Sequence, residues 1–305
     1  MEPGRVNRAL EVRERASGKS VNAARVAHEL GSTVRVIAPS GGWTGKQFLE
    51  ELVSAGIPAS LVNVRGATRV CTTILEDQQA TEIVEPAPAL SQAEVDELYH
   101  LAVNLLADAR VLVLSGSVPP GVPPDVYARL AGNAKDAGVP VIVDATGAEL
   151  LATLPSRPLV VKPNLTELAQ TLGRRLESDA DILAAAEEVR ARGAQAVIVT
   201  RGPQPSLLVT EHGRWIVESP RVRSINPIGS GDALAGGMAH GLSSGLELMD
   251  AALLGVACAG SNVTTPLAAM IDVPLVEKIR SQLQAEQIGE AGALPEEMPR
   301  IERLP

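Results

Sequence analysis

The chain of 305 residues is almost without aromatic side chains: one Phe, two Trp and two Tyr make up 2% of it. A core built without them must pack Ala, Val, Leu and Ile at close range, which suits helices laid on a mostly parallel sheet. The same scarcity excludes the stacking platforms that grip single-stranded nucleic acid. Basic residues are outnumbered 27 to 36, and the net charge of −9 opposes non-specific attraction to DNA, RNA or anionic lipid. An anionic ligand must therefore meet a local basic pocket. Cysteine is limited to Cys71 and Cys258, far apart and without metal-type spacing, the pattern of reduced cytosolic thiols. His28, His100, His212 and His240 show no metal-ligand spacing either. No stretch reaches the ~18 consecutive apolar residues of a membrane span. The opening Met-Glu-Pro-Gly-Arg has no apolar run behind its charge, so a cytoplasmic location is expected.

What the chain does have is alternation. Short β-branched apolar runs at 34–38, 111–114, 139–143, 159–161 and 196–199 are separated by stretches of helical periodicity at 94–107, 124–137 and 179–192. That pattern predicts an α/β fold with right-handed crossovers and helices on both faces of the sheet. Two stretches break it, Arg5 to Val12 and Ile57 to Val84, where polar and β-branched residues alternate as on a half-exposed sheet. The expected division is an α/β core over 17–56 and 89–288, a small β lid over 1–16 and 57–88, and a Glu- and Pro-rich tail over 289–305.

The sharpest local signal is Ser224-Ile-Asn-Pro-Ile-Gly-Ser-Gly-Asp232, a glycine turn opening into a helix of small residues. The first amides of such a helix lack intrahelical partners, and with the helix dipole they suit an anion. Gly229, Ser230 and Gly231 are the expected anion hole. Asp232 stands where a carboxylate could take a hydroxyl proton. The rival explanation is that Ser230 or Asp232 merely caps a helix. A dinucleotide fingerprint is excluded because Leu234 stands where its third glycine belongs, and Gly18-Lys19-Ser20 is no P-loop because Arg13 replaces the leading glycine.

Taken with two other segments in order, this turn resembles the second signature of the ribokinase-like phosphofructokinase B family of sugar kinases. Ser17-Gly-Lys-Ser-Val-Asn-Ala-Ala-Arg25 is similar to that family's first signature, and Lys162-Pro-Asn-Leu-Thr-Glu167 to its Asn-x-x-Glu element. The resemblance implies a three-layer α/β/α domain with a small β lid, ATP and Mg²⁺ as cofactors, and Asp232 as catalytic base. It implies that Gly18 and Asn22 meet the sugar, and that Asn164 and Glu167 organise Mg²⁺ and the nucleotide phosphates, largely through water. Thr200 and Gly202 would form the nucleotide loop, and Asn262 would flank the adenine. Thr68-Arg69 and Ser115-Gly-Ser117-Val-Pro-Pro-Gly121 point within the family to hexose-phosphate kinases, with Lys19, Arg69 and Ser117 expected at the substrate. The cations would clamp its existing phosphate.

The family normally opens with a core strand and an Asn-Pro-Ala-x-Asp run, and this chain starts after it, so the first core strand is expected to be missing. The implied reaction is phosphorylation of a ketohexose phosphate: fructose 1-phosphate first, tagatose 6-phosphate a close second, then fructose 6-phosphate. The alternative is a non-catalytic sugar-phosphate or nucleotide sensor. Small molecules, not nucleic acid or membranes, are the expected partners, with a homodimer through the lid sheet.

Overall fold

The computed structural model describes residues 4–76 and 79–289. In chain order its elements are α1 (Lys19–Glu29), β1 (Val36–Ser40), α2 (Gly42–Ser54), β2 (Ala59–Asn63), β3 (Cys71–Glu76), β4 (Gln79–Val84), α3 (Gln92–Leu105), β5 (Leu112–Ser115), α4 (Val126–Asp136), β6 (Val141–Asp144), α5 (Gly147–Thr153), β7 (Val160–Val161), α6 (Leu165–Leu172), α7 (Asp179–Ala191), β8 (Ala196–Arg201), β9 (Gln204–Thr210), β10 (Gly213–Val217), α8 (Ser230–Ser243), α9 (Leu248–Asn262), α10 (Val273–Arg280) and β11 (Ala285–Ile288).

Among the described residues the central sheet has seven strands in the order β11-β10-β9-β8-β7-β6-β5. Strands β5 to β8 run parallel. The other three continue the sheet in antiparallel pairs that the alternation argument had not resolved. Successive residues face opposite sides, and both sides are apolar, as a sheet covered twice requires. Val143, Val161, Val197 and Val199 pack with Leu130, Leu150, Leu168 and Ile182 from α4 to α7. Ile142, Val160 and Ile198 pack with Leu234, Met238, Ala252 and Val256 from α8 and α9. This is the ribokinase-like layering of helix, sheet and helix.

Three expectations change. Strand β1 does not join the central sheet; it pairs in parallel with β2, and α1 packs against both β1 and β5. Among the described residues one edge of β1 and one of β5 have no strand partner, the place where a further core strand was expected. Residues 59–63, assigned to the lid, are therefore β2 of this second sheet, and the lid sheet is the antiparallel β3–β4 hairpin alone. Residues 5–12 carry no strand, because no neighbour offers their backbone a ladder. Of the tail, residues 290–305 lie outside the described residues.

Helices α1, α8 and α9 sit closer together than larger side chains would allow. At Gly236 a Cβ would fall 2.3 Å from the carbonyl oxygen of Ala23, so only glycine lets α8 lie against α1 at this point. The near absence of aromatics is the composition such contacts demand.

Candidate active site

In a parallel α/β sheet, ligands meet the carboxyl ends of the strands. Ser115, Asp144 and Lys162 lie at the ends of β5, β6 and β7, and Thr200 near the end of β8. The N-terminus of α8 arrives at the same rim. Its turn is held left-handed at Gly229, with φ 80°, where a Cβ would stand 2.9 Å from the Cβ of Ala268. The capping explanation fails. The Ser230 hydroxyl donates to the Pro227 carbonyl at 2.6 Å, and Asp232 accepts from Asn22 Nδ2 at 2.7 Å. No side chain caps α8, and the N–H groups of Gly231 and Asp232 have no acceptor among the described residues. These two amides are the donors an anion would find.

Asp232 is buried, and that burial pushes its pKa up to about 6; the Asn22 hydrogen bond opposes the rise and the nearby Asp144 carboxylate adds to it. A carboxylate with a pKa near 6 is a more effective proton acceptor at neutral pH than an ordinary one. Asn22 is itself buried and fixed by the Ser17 hydroxyl, which donates to its Oδ1 at 3.2 Å. Its amide is therefore committed to the Asp232 carboxylate.

Two cations face this acid. The ammonium of Lys162, 3% exposed, lies 3.2 Å from Asp144 Oδ1 and 3.1 Å from where a Gly231 Cβ would be. Lys19, half-buried, reaches the same Asp144 oxygen at 3.5 Å and Glu167 Oε1 at 3.2 Å. Burial works against the charge of Lys19, but Asp144 and Glu167 outweigh it and hold its pKa above the ordinary value. The other oxygen of Asp144 accepts from the Ser115 hydroxyl at 3.3 Å. One buried carboxylate thus gathers two ammonium groups beside the open amides. Neither Asp144 nor Lys162 was singled out from the sequence. The available signal was an ionisable residue closing each of two short, wholly apolar strands.

Asn164 and Glu167 form a capping box at the start of α6. Asn164 Oδ1 accepts from the Glu167 amide at 2.8 Å, and Glu167 Oε2 accepts from the Asn164 amide at 2.8 Å. The second oxygen of Glu167 still points at Lys19. Thr200 bridges Asn164 in parallel register, and Gly202, with φ 64°, forms the β8–β9 turn. Gly18 precedes α1 with φ 129°, and Gly116 brings the loop after β5 against Lys19.

Three expected ligand contacts are not brought to the cluster. Arg69 is exposed on the segment entering β3, with no hydrogen bond or ion pair among the described residues. Ser117 is exposed in the loop beyond β5. Asn262 is wholly buried, with its amide turned to the Gly229 turn and not to an open face.

ATP and Mg²⁺ fit what is present. The Gly231 and Asp232 amides, Lys162 and Lys19 are a donor set for phosphate oxygens. Among the described residues no three His, Cys, Asp or Glu side chains converge tightly enough to cage a metal. Mg²⁺ keeps its waters and binds through substrate phosphates with one or two carboxylates, and Asp144 and Glu167 are the two carboxylates at Lys19. Both cysteines are free thiols, and no described helix is long and apolar enough to cross a membrane.

Comparison with known proteins matches the fold over nearly the whole chain. A structure of phosphofructokinase-2 from Escherichia coli in complex with fructose-6-phosphate is 28% identical, covers 92% of each chain and superposes with a TM-score of 0.84. A Thermotoga maritima protein described as a possible 1-phosphofructokinase is 26% identical over 95% of each chain, with a TM-score of 0.83. Arabidopsis thaliana ribokinase, at 21% identity over 92% of each chain and a TM-score of 0.73, shares the fold. The model of the pfkB family carbohydrate kinases matches residues 1–274, and with a glycine turn, a buried aspartate and paired lysines at the sheet's rim, this chain belongs to that family.

Proposed function

We propose that this chain transfers the γ-phosphoryl group of ATP to a free hydroxyl of a ketohexose phosphate, with fructose 1-phosphate leading to fructose 1,6-bisphosphate as the first reading. The observation that carries it is the pair of open amides at Gly231 and Asp232, set beneath Lys162 and Lys19 and beside a base with a pKa of about 6. Tagatose 6-phosphate is the close second. Fructose 6-phosphate gains support from the phosphofructokinase-2 neighbour that holds it.

In the reaction the sugar hydroxyl oxygen bonds to the γ-phosphorus as its proton passes to the Asp232 carboxylate. The bond from the γ-phosphorus to the β,γ-bridging oxygen breaks, and ADP leaves with that oxygen. The amides and the two lysines receive the charge on the transferring group, so positioning and electrostatics carry most of the acceleration. Lys19 would exchange Asp144 and Glu167 for phosphate oxygens. Glu167, Asn164 and Asp144 would hold Mg²⁺, largely through water, and the bound ion would supply positive charge to the nucleotide phosphates. Arg69 supplies a cation for the sugar's existing phosphate if the β3–β4 hairpin folds over the site, a closure that also excludes water. On that hairpin Leu75 and Val84 are exposed on one face and Ile83 on the other, and its uncovered strand edge is where two copies would pair.

The test is ADP release from Mg-ATP with fructose 1-phosphate, tagatose 6-phosphate, fructose 6-phosphate and the unphosphorylated sugars. Turnover with one sugar phosphate, and none without it, is the expected result. Binding of sugar phosphates without turnover would replace the kinase by a sensor on the same fold.

A further inference from the structure

Asn262, the last residue of α9, has no solvent exposure, and every hydrogen-bonding group of its side chain is committed. Its amide nitrogen donates to the Ile228 carbonyl at 3.0 Å and to Ser230 Oγ at 3.2 Å, on the two sides of Gly229. The Ser230 hydroxyl can accept this bond because its own proton goes to Pro227. The Asn262 oxygen accepts from the Ala269 amide at 2.6 Å. Ala269 is left-handed, with φ 55°, a conformation that costs an L-residue energy and persists when its surroundings hold it. Ala268 and the Ala269 nitrogen are the atoms packed nearest to Gly229, at 2.9 and 3.0 Å from the position of its absent Cβ. The loop they belong to is fixed again where Arg15 donates to the Ala268 carbonyl at 3.0 Å.

We propose, resting on the kinase reading, that Asn262 is a positioning residue: it fastens both sides of the Gly229 turn and the 264–270 loop together, and so aims the Gly231 and Asp232 amides at the transferring phosphoryl group. A side chain so placed has nothing left to offer a nucleotide. Asn262 acts on the step in which the amides gain charge to bind, not on the grip of the unreacting parts of ATP. Misplacement of such donors by a fraction of an ångström slows the reaction far more than it loosens the ground state.

The experiment compares the wild-type chain with Asn262→Asp and Asn262→Ala. Asn262→Asp keeps the shape and the acceptor for Ala269 and leaves no donor when ionised, and one when protonated, where Asn262 supplies two. Steady-state kinetics with the best sugar phosphate should show kcat lowered on the order of 10- to 100-fold. KM for the sugar phosphate and the calorimetric Kd of ADP should each stay within about threefold, as groups that bind substrate and transition state alike are untouched. Amide resonances of Gly231 and Asp232 should shift in the folded variants. Weaker ADP binding with kcat preserved at saturation would make Asn262 a nucleotide contact and overturn the proposal. Unchanged kinetics with unmoved Gly231 and Asp232 resonances would overturn it too. If Asn262→Ala melts below the assay temperature, Asn262→Asp decides. A wild-type chain with no turnover on any sugar phosphate counts against the kinase reading instead, and the two amide resonances in Asn262→Asp then decide the positioning alone.

Discussion

Asp232 carries its charge at neutral pH against the preference of a buried site, and Asp232→Asn isolates what that costs. Burial first, and the Asp144 carboxylate after it, raise the pKa from 3.8 to about 6 despite the Asn22 hydrogen bond. About two pKa units correspond to roughly 3 kcal/mol of strain on the folded state once the group is ionised. The folded protein holds the Asp232 proton more tightly than the unfolded chain does. Its stability therefore falls as pH rises from 3.8 to about 6, and above that the whole penalty is present. An amide in its place carries no charge, and its oxygen still accepts from Asn22. Asp232→Asn should thus be more stable than wild type by about 1–3 kcal/mol at pH 8, with the gap closing below pH 6. Turnover should fall roughly 10²- to 10⁴-fold, the range for a lost general base, with ADP affinity kept. Urea unfolding of both proteins at pH 8, 6 and 4.5 reads the gap, and initial rates read the chemistry. A variant less stable than wild type at pH 8, or a gap that ignores pH, would refute the reasoning.

Glu94 gives the opposite pH signature. Hydrogen bonds from the Ser91 hydroxyl and amide and from the Arg65 amide lower its pKa from 4.5 to about 2, so its contribution is present above pH 4.5 and is lost as pH falls towards 2. Glu94→Gln should flatten the loss of stability across that window in acid-unfolding curves. Lys162→Met should lower kcat at least 10-fold and, by leaving buried Asp144 only the half-exposed Lys19, destabilise the fold by about 3–5 kcal/mol in denaturant unfolding. Gly236→Ala should push α1 off α8 at the Ala23 carbonyl, costing about 1–3 kcal/mol, and should slow turnover because Asn22 and Asp232 ride on those two helices.

Period and composition reached the layered α/β core because β6, β7 and β8 are apolar on both faces, which only a doubly covered sheet explains. They did not reach the partner of β1, since Val36 to Ser40 reads the same whether it joins a seven-stranded sheet or a two-stranded one; register depends on contacts distant in sequence. The stretch 5–12 alternates like a strand, yet alternation without a neighbouring ladder makes no sheet. At the site, local pattern found the Gly229 turn because glycine and helix start are adjacent in sequence. It missed Asp144 and Lys162, whose meaning comes from converging across two strands; the family resemblance, not local pattern, gave Asn262 to the adenine, whereas its partners are the backbone of residues 228 and 269 and the Ser230 hydroxyl.

The most direct measurement is ³¹P NMR of the wild-type chain incubated with Mg-ATP and each of the three ketohexose phosphates. The account predicts ADP and a sugar bisphosphate growing in equal amounts with one of them, and neither product from Asp232→Asn on that time scale. ATP left intact beside all three sugars, or ADP appearing with free phosphate and no bisphosphate, would contradict phosphoryl transfer to a sugar at this site.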